Sequence, residues 1–338
     1  MDLKIQESES ALIVGTFGRA IWILDDLATL RTVTGDRLKK DLTALPMNDA
    51  VQVKGLFINP PGNIWTGFHT TFEGENKVFQ KVKVPFYLKN PAKAATKVKA
   101  TIFDEQGQLI NTVKAEPTAK GLNYLIWKLD EQASNLPGAW INEESRGIPV
   151  LPGRYKIVIH YEGFKDSNYV QVLPDPRLEL APEVDEQLYA YQKEVDLQVE
   201  VLSSLLKSID QKVAALSKLE KQLHELSYES KDSIFIAISK IKEKVENLRA
   251  TGQTPRPKRQ VGAWQTSKVT PYSKVADAQR IAMSRTRSIS SQERELLDEA
   301  TQLTQAFQKR AHLFLENDWQ PFVKLLRQTD INWLSILE

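Results

Sequence analysis

The apolar residues of this chain change their spacing near Pro174–Pro182. Before that point they alternate, and turn residues recur. After it they step by three and four. A period of two is a strand with one buried face, and a period of 3.6 is a helix with one buried stripe. Neither pattern can serve as the other. The chain therefore divides into a strand-rich part and a helical part. The segment LPDPRLELAP joins them with three prolines, and X-Pro favours extended backbone and stops helices. A length of 338 residues accommodates two domains or three small ones.

In the first part the strand runs are VKVPFYLKN (82–90), KVKATIFDEQG (97–107), LNYLIWKL (122–129), GRYKIVIHY (153–161) and YVQVLP (169–174). Asp104–Gly107 and Leu151–Gly153 supply turns. Several short antiparallel runs over this length predict a small β-sandwich. Alternation in the 153–161 run puts Tyr155, Ile157 and Ile159 on a core face, with Lys156, Val158 and His160 opposite. Nearer the start, LIV and AIWIL flank GTFGR, a run-turn-run pattern that predicts two paired strands.

In the second part Leu202, Leu205, Leu206, Ile209, Val213, Leu216, Leu219, Leu223 and Leu226 mark one long amphipathic helix. Ile234, Ile238, Ile241, Val245 and Leu248 mark a second, ended by Gly252, Pro255 and Pro257. Ser290 with Glu293 is the signature of a capping box that opens a third. A last short helix is expected around Phe322, Leu325 and Leu326, capped by Asn317 or Asp318. The arrangement predicted is an antiparallel helical bundle.

Several classes of chemistry are excluded or unsupported. Cysteine is absent, so disulfides, thiolate nucleophiles and cysteine-held zinc are excluded. The longest apolar stretches, such as Ala20–Leu24, fall far short of the ~20 residues of a membrane helix. The carboxylate pairs Asp25–Asp26 and Glu143–Glu144 are chain neighbours, which a strand points to opposite faces, so neither makes a glycosidase pair. His69, His160, His224 and His312 lie in different elements without the i, i+4 spacing of a zinc pair. GTFGRA is followed by no helix pattern, so it is not a phosphate loop. No catalytic residue, cofactor or metal site is assigned.

From Arg256 to Arg287 eight basic residues (Arg256, Lys258, Arg259, Lys268, Lys274, Arg280, Arg285, Arg287) face one acid, Asp277, with Trp264 and Tyr272 interleaved. Such a segment could hold an anionic polymer. The plainer reading is a basic connector, 252–289, that balances acidic helices, and it predicts no specific nucleic-acid binding. Trp65, Phe68, Trp140 and Tyr161 are candidates for stacking on a glycan; the alternative for each is packing.

ALIVGTFGRAIWILDDLATLR (11–31) is similar to the closing segment of the bacterial BNR-repeat, sortilin-like or glycosyl-hydrolase-related β-propeller proteins. Gly15, Thr16, Gly18, Arg19, Trp22, Leu24, Asp25 and Asp26 carry the resemblance, while Phe17 stands where the family usually has His. GLNYLIWKLD (121–130) and PVLPGRYKIVI (149–159) resemble strands of the immunoglobulin-like module found after such propellers and in the flagellar-hook capping protein. The resemblance implies a multi-domain α+β chain: 1–32 a remnant of the last propeller blade, 33–76 a connecting segment, 77–174 an immunoglobulin-like antiparallel β-sandwich, and 183–338 a helical bundle. It implies a non-catalytic structural and interaction region of a larger protein, with the remainder of a propeller, another protein chain or a glycan as partner. Oligomers through the N-terminal strands are expected. The rival class is a glycoside-hydrolase-related enzyme whose active site lies in further blades. The family is exported, so a periplasmic, secreted or surface location is expected of the full-length protein. MDLKIQESES has no basic n-region, so no signal peptide is expected in this chain.

Overall fold

Alternation becomes sheet wherever a second sheet covers one face. The computed structural model describes residues 2–7, 10–18, 21–24, 27–52, 82–90, 96–116, 120–137, 147–176, 178, 181–225, 231–253 and 268–328. It is a mixed α+β chain of two units. One comprises residues 1–133 and 146–182, the other 134–145 and 183–338. The two units meet in sequence at Pro182. The excursion 134–145 is grouped with the helical unit.

The strand unit opens with β1 (Asp2–Gln6), β2 (Ala11–Gly15) and β3 (Ile21–Leu24), an antiparallel three-stranded sheet in that order. A short helix α1 (Leu27–Thr32) and a 3-10 turn (Arg37–Lys39) follow. Next come β4 (Leu42–Ala44) and β5 (Ala50–Val51), then β6 (Val82–Leu88), β7 (Val98–Phe103), β8 (Leu109–Ala115), β9 (Gly121–Trp127), β10 (Gly153–Tyr161) and β11 (Phe164–Leu173). They form one sheet in the order β5-β11-β10-β7-β8 and another in the order β4-β6-β9. All pairings are antiparallel except that of β5 with β11. The expected connecting segment 33–76 therefore supplies two strands of its own, and β1 and β8 are strands that the alternation did not reveal.

The two sheets share one core. Val84, Phe86 and Leu88 from β6, Ala100 and Ile102 from β7, and Leu125 and Trp127 from β9 meet Tyr155, Ile157 and Ile159 from β10. The core face foreseen for β10 is thus the one observed. Trp127 is fully buried and meets Tyr155 edge-on at 5.3 Å between ring centroids.

The helical unit is built on α2 (Pro182–Glu225), 44 residues long, and α3 (Lys231–Gly252). On α2, Leu188, Tyr191, Val195, Val199, Leu202, Leu206 and Ile209 recur at three and four and are all buried. Leu136 from the 134–145 excursion enters the same core. The excursion is tied down by Ser134 Oγ to Asp196 (3.0 Å), by Ser203 Oγ donating to Asn135 O (2.9 Å), and by Gln279 Nε2 donating to Ser134 O (3.2 Å).

Two expectations change here. Within the expected connector lies α4 (Pro271–Ser284), capped by Thr270 and Ser273 and burying Val275, Ala278 and Ala282. Its apolar stripe is made of small residues, which hid it. The capping box at Ser290 and Glu293 opens α5 (Ser291–Phe314) as expected. Neither Asn317 nor Asp318 caps a new helix, however: α5 runs through a π-helical turn (Leu315–Trp319) directly into α6 (Gln320–Arg327). That extra residue per turn lets the Trp319 ring tilt between Phe314 and Phe322.

Close packing at the end of α3 gives a sharp prediction. A Cβ on Gly252 would collide with the buried Phe307 ring. Replacing a helical glycine by alanine gains at most about 1 kcal/mol, and overpacking a core costs about 1–3 kcal/mol. Gly252→Val, which adds two methyls and a branched side chain, is expected to destabilise the helical unit by about 2 kcal/mol in urea unfolding.

Candidate functional site

The N-terminal motif folds as two paired strands, as its run-turn-run pattern predicts. Val14 faces Trp22 and Ile13 faces Ile23 in the β2–β3 register. The intervening turn needs Gly18, whose φ of +88° a side chain would strain. Phe17 at its tip is 98% exposed. Arg19, Asp25 and Asp26 lie outside the described residues.

What sets this sheet apart is the exposure of its outer strands among the described residues. Ile21, Trp22, Ile23 and Leu24 are between 44% and 70% exposed, and Leu3 and Ile5 on β1 are exposed as well, while the central β2 is half-buried with Ala11 buried. Alternation on β3 therefore presents apolar side chains on both faces. Among the described residues β1 and β3 each pair only with β2, so both outer edges present unpaired backbone groups.

A second feature lies on the outward side of the five-stranded sheet. A groove of about 630 Å³ is lined by Phe103, Asp104, Glu105, Arg154, Lys156 and Tyr169, among others. Alternation places Arg154 and Lys156 outward because Tyr155 and Ile157 point into the core. Register places Tyr169 opposite Lys156. The Arg154 guanidinium stacks on the Tyr169 ring at 4.1 Å from its centroid. Beneath the groove the Tyr155 hydroxyl donates to Leu151 O at 2.7 Å. Burial, and then the negative charges of Asp104, Glu131 and Glu105, push that phenol well above its ordinary value. It stays protonated at neutral pH and acts as a fixed donor.

The proposed glycan stackers are not brought together. Trp65, Phe68 and Trp140 lie outside the described residues. Tyr161 is 4% exposed and part of the core of the strand unit, so it offers no face to a sugar. Alternation alone assigns it there, since it continues the Tyr155–Ile157–Ile159 series. The basic connector is largely compensated within its described part. Lys274 pairs with Glu299 at 2.7 Å, Arg280 with Asp277 at 3.3 Å, and Arg285 with the buried Glu293. Arg256, Lys258, Arg259 and Trp264 lie outside the described residues.

Among the described residues no group of three His, Asp or Glu stands together as a metal site, and no helix is long and apolar enough to cross a membrane. Comparison with protein-family models and with characterised proteins finds no match to this chain.

Proposed function

We propose that this chain is a non-catalytic structural and interaction region, the C-terminal part of a larger propeller protein, and that its N-terminal sheet is the surface completed by another chain. The observation that carries this reading is the exposed apolar strand β3 of the sheet β1–β2–β3. Propeller blades are antiparallel meanders of four strands, and three consecutive strands in sequential order are consistent with a blade that lacks one. An immunoglobulin-like reading of the larger strand layers draws support from Tyr155. Its hydroxyl reaches back to the backbone four residues upstream, in the manner of a tyrosine corner. The buried Trp127 beside it fits the same plan.

Among the described residues the β3 side chains are exposed. Association with another chain would remove them from water. Each of the four on β3 gains about 1.5–3 kcal/mol on full burial. The unpaired outer edges of β1 and β3 also supply backbone hydrogen bonds to an incoming strand. In the chain by itself the available partner is a second copy, pairing β3 against β3 in an isologous contact.

Removal of residues 1–24 tests this. The full chain is expected to sediment as a dimer or larger species at tens of micromolar, and the shortened chain as a monomer with unchanged helical circular dichroism. A full chain that stays monomeric across that range would refute the proposal.

A further inference from the structure

We propose that the outward face of the five-stranded sheet binds an acidic glycan, a sugar chain carrying a carboxylate on successive residues. This face is remote in sequence from the N-terminal strands, and the inference extends the interaction role to a second ligand.

The register carries it. Lys114 on β8 stands opposite Lys99 on β7, Lys99 opposite His160 on β10, and His160 opposite Lys165 on β11. All four side chains are exposed and outward, because Val98, Ala100, Ile159 and Tyr161 beside them point inward. They form one straight row across four strands, spaced at ~4.8 Å per strand. The adjacent row is Thr112, Thr101, Val158 and Ser167. Beyond it lie Lys156 and Arg154 in the groove, about 13 and 20 Å from the first row at ~3.3 Å per residue.

Among the described residues, the carboxylates of this face lie at its ends. Asp104 and Glu105 sit on the β7–β8 turn, and Glu116 and Glu162 near the lysine row. Glu116 is engaged with Lys97 at 3.9 Å, and Glu162 accepts from Thr96 Oγ1. Lys99, Lys114, Lys156 and Lys165 make no ion pair among the described residues. Like charges directly opposite on neighbouring strands destabilise a sheet. The opposed Lys99–Lys114 pair is such a cost, which a bound polyanion would offset.

Among the described residues of this face, the scarcity of exposed rings favours a glycan. Single-stranded nucleic acid is held by successive aromatic platforms. Here the exposed Tyr169 ring is already covered by Arg154.

The test uses the full chain, an oligogalacturonate, its methyl-esterified neutral counterpart, and an oligothymidylate of equal charge. Calorimetric titration is expected to show binding of the first and not the second. Taking the single-strand slope of ~0.7 per neutralised charge and three lysines, affinity falls about 20-fold between roughly 50 and 200 mM salt. Lys99→Thr with Lys165→Thr is expected to weaken binding about tenfold. The same pair should raise the melting temperature of the free protein by about 2 °C, since it removes opposed charges. A purely solvated face would not link those two changes. No binding of the uronate, equal binding of the oligothymidylate, or binding indifferent to both substitutions would each overturn the inference. Self-association is read separately by sedimentation of the same variant, so failure here leaves the N-terminal sheet's role standing.

Discussion

Trp127→Ala is expected to unfold much of the strand unit's stability, lowering it by about 3–5 kcal/mol. The indole is fully buried between the two sheets. Its Nε1 donates to Asp130 O at 2.8 Å, and that carbonyl also accepts from Asn111 Nδ2 at 2.9 Å. The carbonyl keeps a partner after truncation, so the loss is dominated by the cavity and the vanished contacts, including the ring of Tyr155. Native domains hold only about 5–15 kcal/mol in total. Trp127→Phe keeps most of the volume and loses the donor, so it should cost about 1–2 kcal/mol. Urea unfolding followed by strand-region circular dichroism distinguishes the two variants. A loss in Trp127→Ala no greater than in Trp127→Phe would show that the core collapses around the gap.

The second large effect lies in the helical unit, at Glu293. Its side chain is 4% exposed. One oxygen accepts from the Ser290 backbone N–H at 2.7 Å, and Arg285 meets the other. Tyr191 from α2 donates to the Glu293 carbonyl at 2.9 Å, so the same residue ties α2 to α5. Burial pushes the carboxyl up, but the Ser290 hydrogen bonds and Arg285 outweigh it and hold it below its ordinary value. A carboxyl depressed on folding adds stability that is complete above its unfolded value near ~4.3. That stability is lost as pH falls through the depressed folded value. Glu293→Ala should cost about 2–4 kcal/mol at pH 7. It should also flatten the acid side of the stability profile of the helical unit below about pH 4. A variant whose acid limb stays parallel to the parent would assign that limb to other carboxylates.

The sequence speaks clearly where one residue's fate repeats along an element. The β10 alternation and the α2 stripe are read directly because each buries a single continuous face. β8 was not legible, because LINTVKA buries none of its residues fully and mixes polar with apolar on both sides. β5 is two residues long, too short to show a period. α4 was obscured by its charges: its buried positions are Val275, Ala278 and Ala282, and its capping box uses Ser273 where a glutamate would have signalled it. For Tyr161, of the two expectations of glycan stacking and packing, packing holds, and its parity with Tyr155, Ile157 and Ile159 already points there.

The lysine row could not be read from the chain at all. Lys99, Lys114, His160 and Lys165 belong to four strands, and only the register makes them neighbours. Each alone looks like any solvated lysine or histidine on an exposed strand position. The N-terminal sheet is the opposite case. Its apolar residues were plain in the sequence, and the structure adds that those of β3 are exposed among the described residues.

Hydrogen exchange at the backbone amides of Ile21–Leu24, followed as protein concentration rises, tests that sheet's role most directly. Within a lone three-stranded sheet the amides on the outer edge of β3 have no acceptor and exchange quickly. Pairing with a strand from a second copy gives them one. The expected result is protection on β3 that grows with concentration, while the β10 amides remain protected throughout as an internal reference. Fast exchange on β3 at every concentration, with β10 unchanged, would contradict the account.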